Sequence, residues 1–249
     1  VSPPKDLFSG HARQYASFRP TYPKALYDFI LGYVKERNNA WDCACGNGQV
    51  ARDLVPYFAK IEATDLSAKQ IENAIPSLTI HYSVSPAEQT SFADDTFDLI
   101  TVGQALHWLD TAAFYKEVNR VAKAGSVLAV WGYGLLRVTP SIDDKLHHFY
   151  KNVIGPYWDN ERKFVDEAYV TLAFPFKEIT APSLFITVEW SKAQFYGYIH
   201  TWSAVVKYIE QHGVNPVGVL INDISPLWGD EIRTITFPLF LRLGVVEKE

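Results

Sequence analysis

Residues 40–49 read Ala40-Trp41-Asp42-Cys43-Ala44-Cys45-Gly46-Asn47-Gly48-Gln49. A short strand-like run ends in two close glycines. Val50, Ala51, Leu54, Val55 and Phe58 then fall on one face of a helix. Strand, glycine turn and helix in that order build a nucleotide crevice. A residue without a side chain lets the turn adopt positive φ and lets a ligand lie on the backbone. The helix that follows aims its unpaired N–H groups at that ligand. Glycine register separates one nucleotide class from another. A dinucleotide fingerprint needs glycine at 44, 46 and 49, where this chain has Ala44, Gly46 and Gln49. In the register D-x-G-x-G-x-G, Asp42, Gly46 and Gly48 match and Ala44 replaces the first glycine.

That second register resembles motif I of the class I methyltransferases that use S-adenosylmethionine. The resemblance implies that Asp42, Ala44, Cys45, Gly46 and Gly48 surround this cofactor, which leaves as S-adenosylhomocysteine. The alternation of strand-like and helix-like segments predicts a doubly wound α/β sheet. The resemblance implies a Rossmann-like seven-stranded order, 3-2-1-4-5-7-6, with the last strand antiparallel.

Upstream, Tyr15-Ala16-Ser17-Phe18-Arg19-Pro20-Thr21-Tyr22-Pro23 is similar to the segment before the core of small-molecule methyltransferases related to trans-aconitate methyltransferase. There Tyr15 and Arg19 would close over the cofactor, Arg19 meeting its carboxylate with a planar fork; a plain aromatic strap is the other reading. Leu26, Ile30 and Val34 repeat at helical spacing and predict a helix over 23–37.

Downstream, residues 61–65 form a second strand that ends in Asp65, nineteen positions past Gly46. That distance suits a carboxylate on a ribose diol; the competing role is a helix cap, which Ser67 with Gln70 can fill as a capping box. Leu66 would then flank the adenine. After a third strand at 79–84, Pro86-Ala87-Glu88 matches the short turn that touches the adenine in the family, although Glu88 also fits a solvent-facing loop. Residues 97–102 form the fourth strand, with Asp98 structural. Gly103-Gln104-Ala105-Leu106-His107-Trp108-Leu109-Asp110 follows at its carboxyl end, where open α/β sheets bind ligands. The pattern Q-A-x-H-W-x-D resembles the same subgroup. It implies Gln104 on the methionine moiety and His107, Trp108 and Tyr133 toward the methyl group or the acceptor. His107 can act as a base, orient the acceptor or merely hold its loop; Trp108 can equally be core.

Past the fifth strand at 126–132, aromatic residues crowd 133–182, which predicts a helical cap from about 136 to 182. His147 and His148 are adjacent, so a helix points them apart and they spell no metal site. A strand at 184–190, one long helix carrying Phe195, Ile199, Trp202, Val206 and Ile209, and a strand at 232–246 containing Pro238 end the chain. The expected organisation is one domain: strap and helix 1–37, core 38–135, cap 136–182, and strand–helix–strand 183–249.

The chain has 249 residues and a formal net charge of -5, which gives no electrostatic reason for a nucleic-acid partner. No apolar run is long enough to cross a bilayer and no signal-peptide pattern leads the chain. With Cys43 and Cys45 one residue apart, a disulfide is disfavoured and a cytoplasmic setting expected, as a monomer or homodimer. The expected partner is a small molecule, and O-methylation of a carboxylate or hydroxyl is the first expectation. A non-catalytic binding protein of the same fold and an NAD-dependent oxidoreductase are the alternatives.

Overall fold

A computed structural model describes residues 20–248. Helix α1 is Lys24–Leu31. The alternating core follows: β1 Asn39–Cys43, α2 Gln49–Leu54, β2 Lys60–Asp65, α3 Ala68–Glu72, β3 Ile80–Val84, β4 Phe97–Gly103, α4 Thr111–Val121 and β5 Ala122–Tyr133. The cap segment holds α5 Pro140–His148, two helical turns and α6 Arg162–Asp166. Strands β6 Lys177–Ile179 and β7 Leu184–Trp190, helices α7 Lys192–His200, α8 Ser203–His212 and α9 Val217–Trp228, and β8 Arg233–Val245 complete it.

The sheet order is β3-β2-β1-β4-β5-β8-β6, with β7 also paired to β8. Strands β1 to β5 run parallel, and β8 is antiparallel to its neighbours. The expected sixth strand is split in two. Strands β6 and β7 lie end to end along one edge of β8, and residues 180–183 stand opposite 240–242. One extra residue on the outer strand makes a bulge, and Pro182 sits in it. Pro238 lies within β8 without breaking it. Its carbonyl accepts from the Gly134 N–H just past the end of β5, so its missing N–H faces a side where the β5 ladder has already ended.

Period-two alternation puts side chains on both faces of the central strands. Ala40, Leu99, Val127, Ala129 and Trp131 pack toward α1 and α2, and Trp41, Ile100, Val102, Leu128 and Val130 pack toward α4. Asp98, on β4, ties its strand to the starts of β1 and β5. One of its oxygens accepts the Asn38 and Asn39 N–H groups at 2.9 and 2.8 Å, and the other meets Lys123 Nζ at 2.5 Å.

Two expected helices end early. Helix α1 stops at Leu31 rather than 37, because Arg37 turns back to donate to the Leu31 carbonyl at 3.1 Å. The long helix through 195–209 is two helices. Thr201 donates to the Tyr198 carbonyl at 2.6 Å, and Trp202 leaves helical geometry to join an aromatic cluster with Tyr150, Trp158 and Tyr198. The stripe is continuous while the helix axis is not.

Gly48 is the left-handed N-cap of α2, at φ 80°, and a Cβ there would lie 2.3 Å from the Tyr82 hydroxyl. Gly48→Ala should therefore lose about 2 kcal/mol or more from backbone strain plus overpacking. Thermal and urea unfolding of the variant check this; an unchanged midpoint would show that Tyr82 yields and the turn tolerates a side chain.

Candidate functional site

The carboxyl ends of β1, β2 and β4 open into a cavity of about 610 Å³. Its floor is the turn after β1. Ala44 and Gly46 both take positive φ, 53° and 56°; for Ala44 this costs about 1 kcal/mol that glycine would not pay. Asp42 lies beneath the turn, buried, accepting the Ala51 N–H at 2.9 Å and the Thr101 hydroxyl at 3.1 Å. It joins β1, the first turn of α2 and β4. Burial drives its pKa up from 3.8 to about 7 against these hydrogen bonds.

Asp65 at the end of β2 is held by two backbone donors. Its Oδ2 accepts the Gly46 N–H and its Oδ1 the Ser67 N–H, each at 2.8 Å. The expected Ser67 capping box does not form; Ser67 makes no side-chain cap bond, and Asp65 takes its N–H instead. A carboxylate oxygen has a second lone pair, so Asp65 keeps acceptor capacity at a fixed position. The far wall is Leu66, Pro86, Ala87 and Glu88, the Glu88 carboxylate receiving the Asp110 N–H at 3.0 Å.

Gln104 follows β4 at φ 56°. Its side-chain oxygen accepts the Tyr133 N–H at 2.8 Å, and its amide donates to the Tyr133 carbonyl at 3.4 Å. The side chain thus continues the β4–β5 pairing and closes one end of the cavity. Four carboxylates line this space, Asp42, Asp65, Glu88 and Asp110, and among the described residues no lysine or arginine does. Such walls favour a cationic molecule that also carries hydroxyl groups. Cys45 lines it too, but burial holds its thiol protonated, with a pKa well above its ordinary value, so it is no nucleophile.

Gln104, Trp108 and Tyr133 are shared with a smaller extension of about 70 Å³ under the cap. His107 lines the extension rather than the main cavity. Its ring lies 4.7 Å from that of Trp108, and its Nδ1 is 2.8 Å from the hydroxyl of Tyr169. Tyr169 is fully buried, and its hydroxyl meets His107 Nδ1 and the backbone N–H groups of Leu106 and His107. Those N–H groups donate to the phenol oxygen, which directs the phenol proton to Nδ1 and assigns the ring proton to Nε2. Burial first, and then the positive charge of Arg162, push the His107 pKa down from 6.5 to about 3.

Of the residues read from the sequence, Asp42, Ala44, Cys45, Gly46, Asp65, Leu66, Ala87, Glu88, Gln104, Trp108 and Tyr133 line the main cavity. Gly48 does not: it caps α2 against Tyr82. Tyr15 and Arg19 lie outside the described residues. Asn47, Gln70 and Gly103 also line the cavity, and the sequence reading passed over them. Gln70 was reachable, since it occupies the first turn of the helix after Asp65. Tyr169, Arg162, Trp158 and Trp202 were not, because nothing local ties them to His107. Among the described residues no group of three or more His, Cys, Asp or Glu could hold a metal ion, and no helix is long and apolar enough to cross a membrane.

The family model described as a methyltransferase domain matches residues 41–130. A provisionally named methyltransferase of Dictyostelium discoideum is 33% identical to this chain, across 97% of it and 95% of the relative. The solved structure of a provisionally named type II methyltransferase from Anaeromyxobacter dehalogenans is similar at TM-score 0.87 and 35% identity, covering 93% of this chain and 99% of that one. Phosphoethanolamine N-methyltransferase 2 of Haemonchus contortus, solved with S-adenosyl-L-methionine, shares the fold at TM-score 0.50 and 16% identity, covering 96% of this chain and 57% of that one.

The Asp42 carboxyl gives a pH signature. With its folded pKa near 7 and its ordinary value 3.8, the native state holds a proton that the unfolded chain has released. This contribution to stability is therefore full below about pH 4 and is lost as pH rises through about 7. Asp42→Asn keeps both hydrogen-bonding positions and has no charge to bury. Its melting temperature relative to the parent should climb between about pH 4 and 7 and level off above that. A pH-independent difference would mean that Asp42 is ionised throughout.

Proposed function

The chain belongs to the class I S-adenosylmethionine-dependent methyltransferases, and on that premise we propose that it methylates a carboxylate oxygen of a small molecule. When bound, the cofactor supplies a methyl group on a sulfonium, already activated for displacement. The main cavity fits this molecule in charge and in form. Asp65 offers two pre-fixed acceptor oxygens to a ribose diol. Leu66 and Ala87 give apolar walls for an adenine, with Glu88 at its rim. The turn Ala44–Gly46 brings backbone close, and the acidic lining suits a sulfonium and an amino group. Gln104 bounds the methionine end, and Tyr15 and Arg19 of the lead-in would close over it.

The observation that carries the acceptor class is the 2.8 Å hydrogen bond between His107 Nδ1 and the buried Tyr169 hydroxyl. With Nδ1 engaged there, the ring presents Nε2–H as a donor, and burial, by lowering its pKa, makes it a weak base toward an alcohol or phenol. An acceptor that needs no base fits, and a carboxylate is ionised at neutral pH. His107 donates Nε2–H to one carboxylate oxygen and orients it. Trp108 and Tyr133, at the junction of the two spaces, hold the acceptor in line and exclude water. The carboxylate oxygen forms the new C–O bond with a lone pair; the C–S bond breaks and its electron pair stays on sulfur, so no proton moves. The likeness of the 103–110 segment to the trans-aconitate methyltransferase group supports a carboxylate acceptor. We read the chain as one domain, with small molecules as its partners.

A methyl-release screen over small acids, phenols and amines, with mass spectrometry of the products, tests the reading: esters are expected, and methylation confined to amines or phenols overturns it. Asp65→Ala should weaken S-adenosylmethionine binding by charge-assisted hydrogen bonds worth about 1.5–3 kcal/mol each, and calorimetry showing unchanged affinity would remove Asp65 from the cofactor site. His107→Gln, which keeps a donor at the Nε2 position, should retain activity within about tenfold, and kcat/KM should be flat from pH 6 to 8. A loss of about three decades or more with cofactor binding intact would make His107 a base instead.

A further inference from the structure

Arg162, at the start of α6, lines the extension with His107. Its Nε donates to the Tyr150 hydroxyl at 2.7 Å and to Asp166 Oδ1 at 3.3 Å. Its guanidinium carbon stands 4.9 Å from the Trp158 ring centroid and 5.5 Å from that of Tyr150. One edge and one face of the guanidinium are thus clamped. The two terminal nitrogens, Nη1 and Nη2, have no hydrogen-bond partner among the described residues, and they are not sealed off as buried, unsatisfied atoms. A planar cation held by its root in the wall of a small space, its terminal nitrogens unbonded among the described residues, is suited to receive a carboxylate.

The surrounding charges agree. Asp166 sits on the Nε side, away from the fork, and is 43% exposed. Asp159 also borders the extension; its Oδ1 pairs with Lys207 at 2.6 Å, which offsets its charge, while its Oδ2 is buried. The main cavity, in contrast, is lined by carboxylates. An anion is therefore repelled from the first space and drawn into the second, while a cation prefers the reverse. An extension of about 70 Å³ holds a group of carboxylate size and little more, since one water occupies about 30 Å³.

We propose that the extension is the acceptor's carboxylate subsite, with the fork of Arg162 as its anchor and the rings of Trp158, Tyr198 and Trp202 as its apolar walls. The proposal rests on the methyl-transfer reading of the main cavity. A carboxylate has about four lone-pair sites. The fork takes one on each oxygen, His107 Nε2–H takes a third, and the fourth is left for the methyl carbon. Neutral acceptors of the same shape leave the fork unpaired and are rejected.

The test uses the full chain with S-adenosylhomocysteine present, titrated calorimetrically with trans-cinnamate and with cinnamamide, its neutral match. Benzoate, phenylacetate and sorbate, each beside its amide, complete the panel. The parent should bind acids at least about tenfold more tightly than amides. Arg162→Gln should lose about 10–100-fold in acid affinity, with amide and S-adenosylhomocysteine affinities unchanged. Arg162→Lys keeps the charge and the contact with Trp158, and should lose less. It also serves if the glutamine variant does not melt cooperatively. Acid affinity equal to the parent's in either variant overturns the subsite. Product analysis with S-adenosylmethionine separates this proposal from the reading beneath it. Ester formed equally by parent and Arg162→Gln retains carboxylate methylation and removes the subsite. Arg162-dependent binding with no ester retains the subsite and removes carboxylate methylation. Neither binding nor ester with any acid of the panel overturns both.

Discussion

The buried carboxylate of Asp42 is the constraint on which the rest of the site depends. It accepts one hydrogen bond from the first turn of α2 and another from β4. Two strands and a helix are therefore fixed at the point where the chain must reverse. With that point fixed, the turn above it can take left-handed geometry at Ala44 and Gly46. Asp65 then reaches across from β2 to the Gly46 N–H. The burial that makes Asp42 an effective tie also raises its pKa, so structural anchoring and acid strength are opposed in one side chain.

The two chambers divide the electrostatic work. Methyl transfer from a sulfonium to an anion brings a cation and an anion together, and water would shield both. Here acids line the chamber for the cation, and Arg162 faces the chamber proposed for the anion. Gln104, Trp108 and Tyr133 form the boundary, and Gln104 is itself pinned to the backbone of β5. On the proposed reading, such a site would rely on preorganised charge rather than on a proton-transfer residue. That agrees with His107 being held neutral by burial.

The cap completes the second chamber at some cost in backbone strain. Ala168 and Tyr169 both take positive φ, 52° and 60°, in the turn after α6. That turn delivers the Tyr169 hydroxyl to His107, 62 positions earlier in the chain. The hydrogen bonding of His107 Nδ1 is therefore set by an element of the cap, so the donor this histidine presents at the strand end depends on how the cap is seated.

The sequence by itself determined the core and the main cavity. Strand, turn and helix succeed one another locally there, and ligand-facing residues sit at strand ends a few positions from glycines or acids that announce them. The turn residues 42–46, Asp65 with Leu66, Ala87 with Glu88, and Gln104 were legible for that reason. The role of Gly48 was not, because the Tyr82 ring that fills the space beside it comes from another strand. Nor were the break at Thr201–Trp202 and the split outer strand legible, since a hydrophobic stripe records which residues are buried and not whether the backbone beneath them is continuous. Only the tertiary structure decided the second chamber. Its cation, the rings of Trp158, Tyr198 and Trp202, and the partner of His107 come from segments more than fifty residues away, joined by packing that leaves no period or motif in the chain.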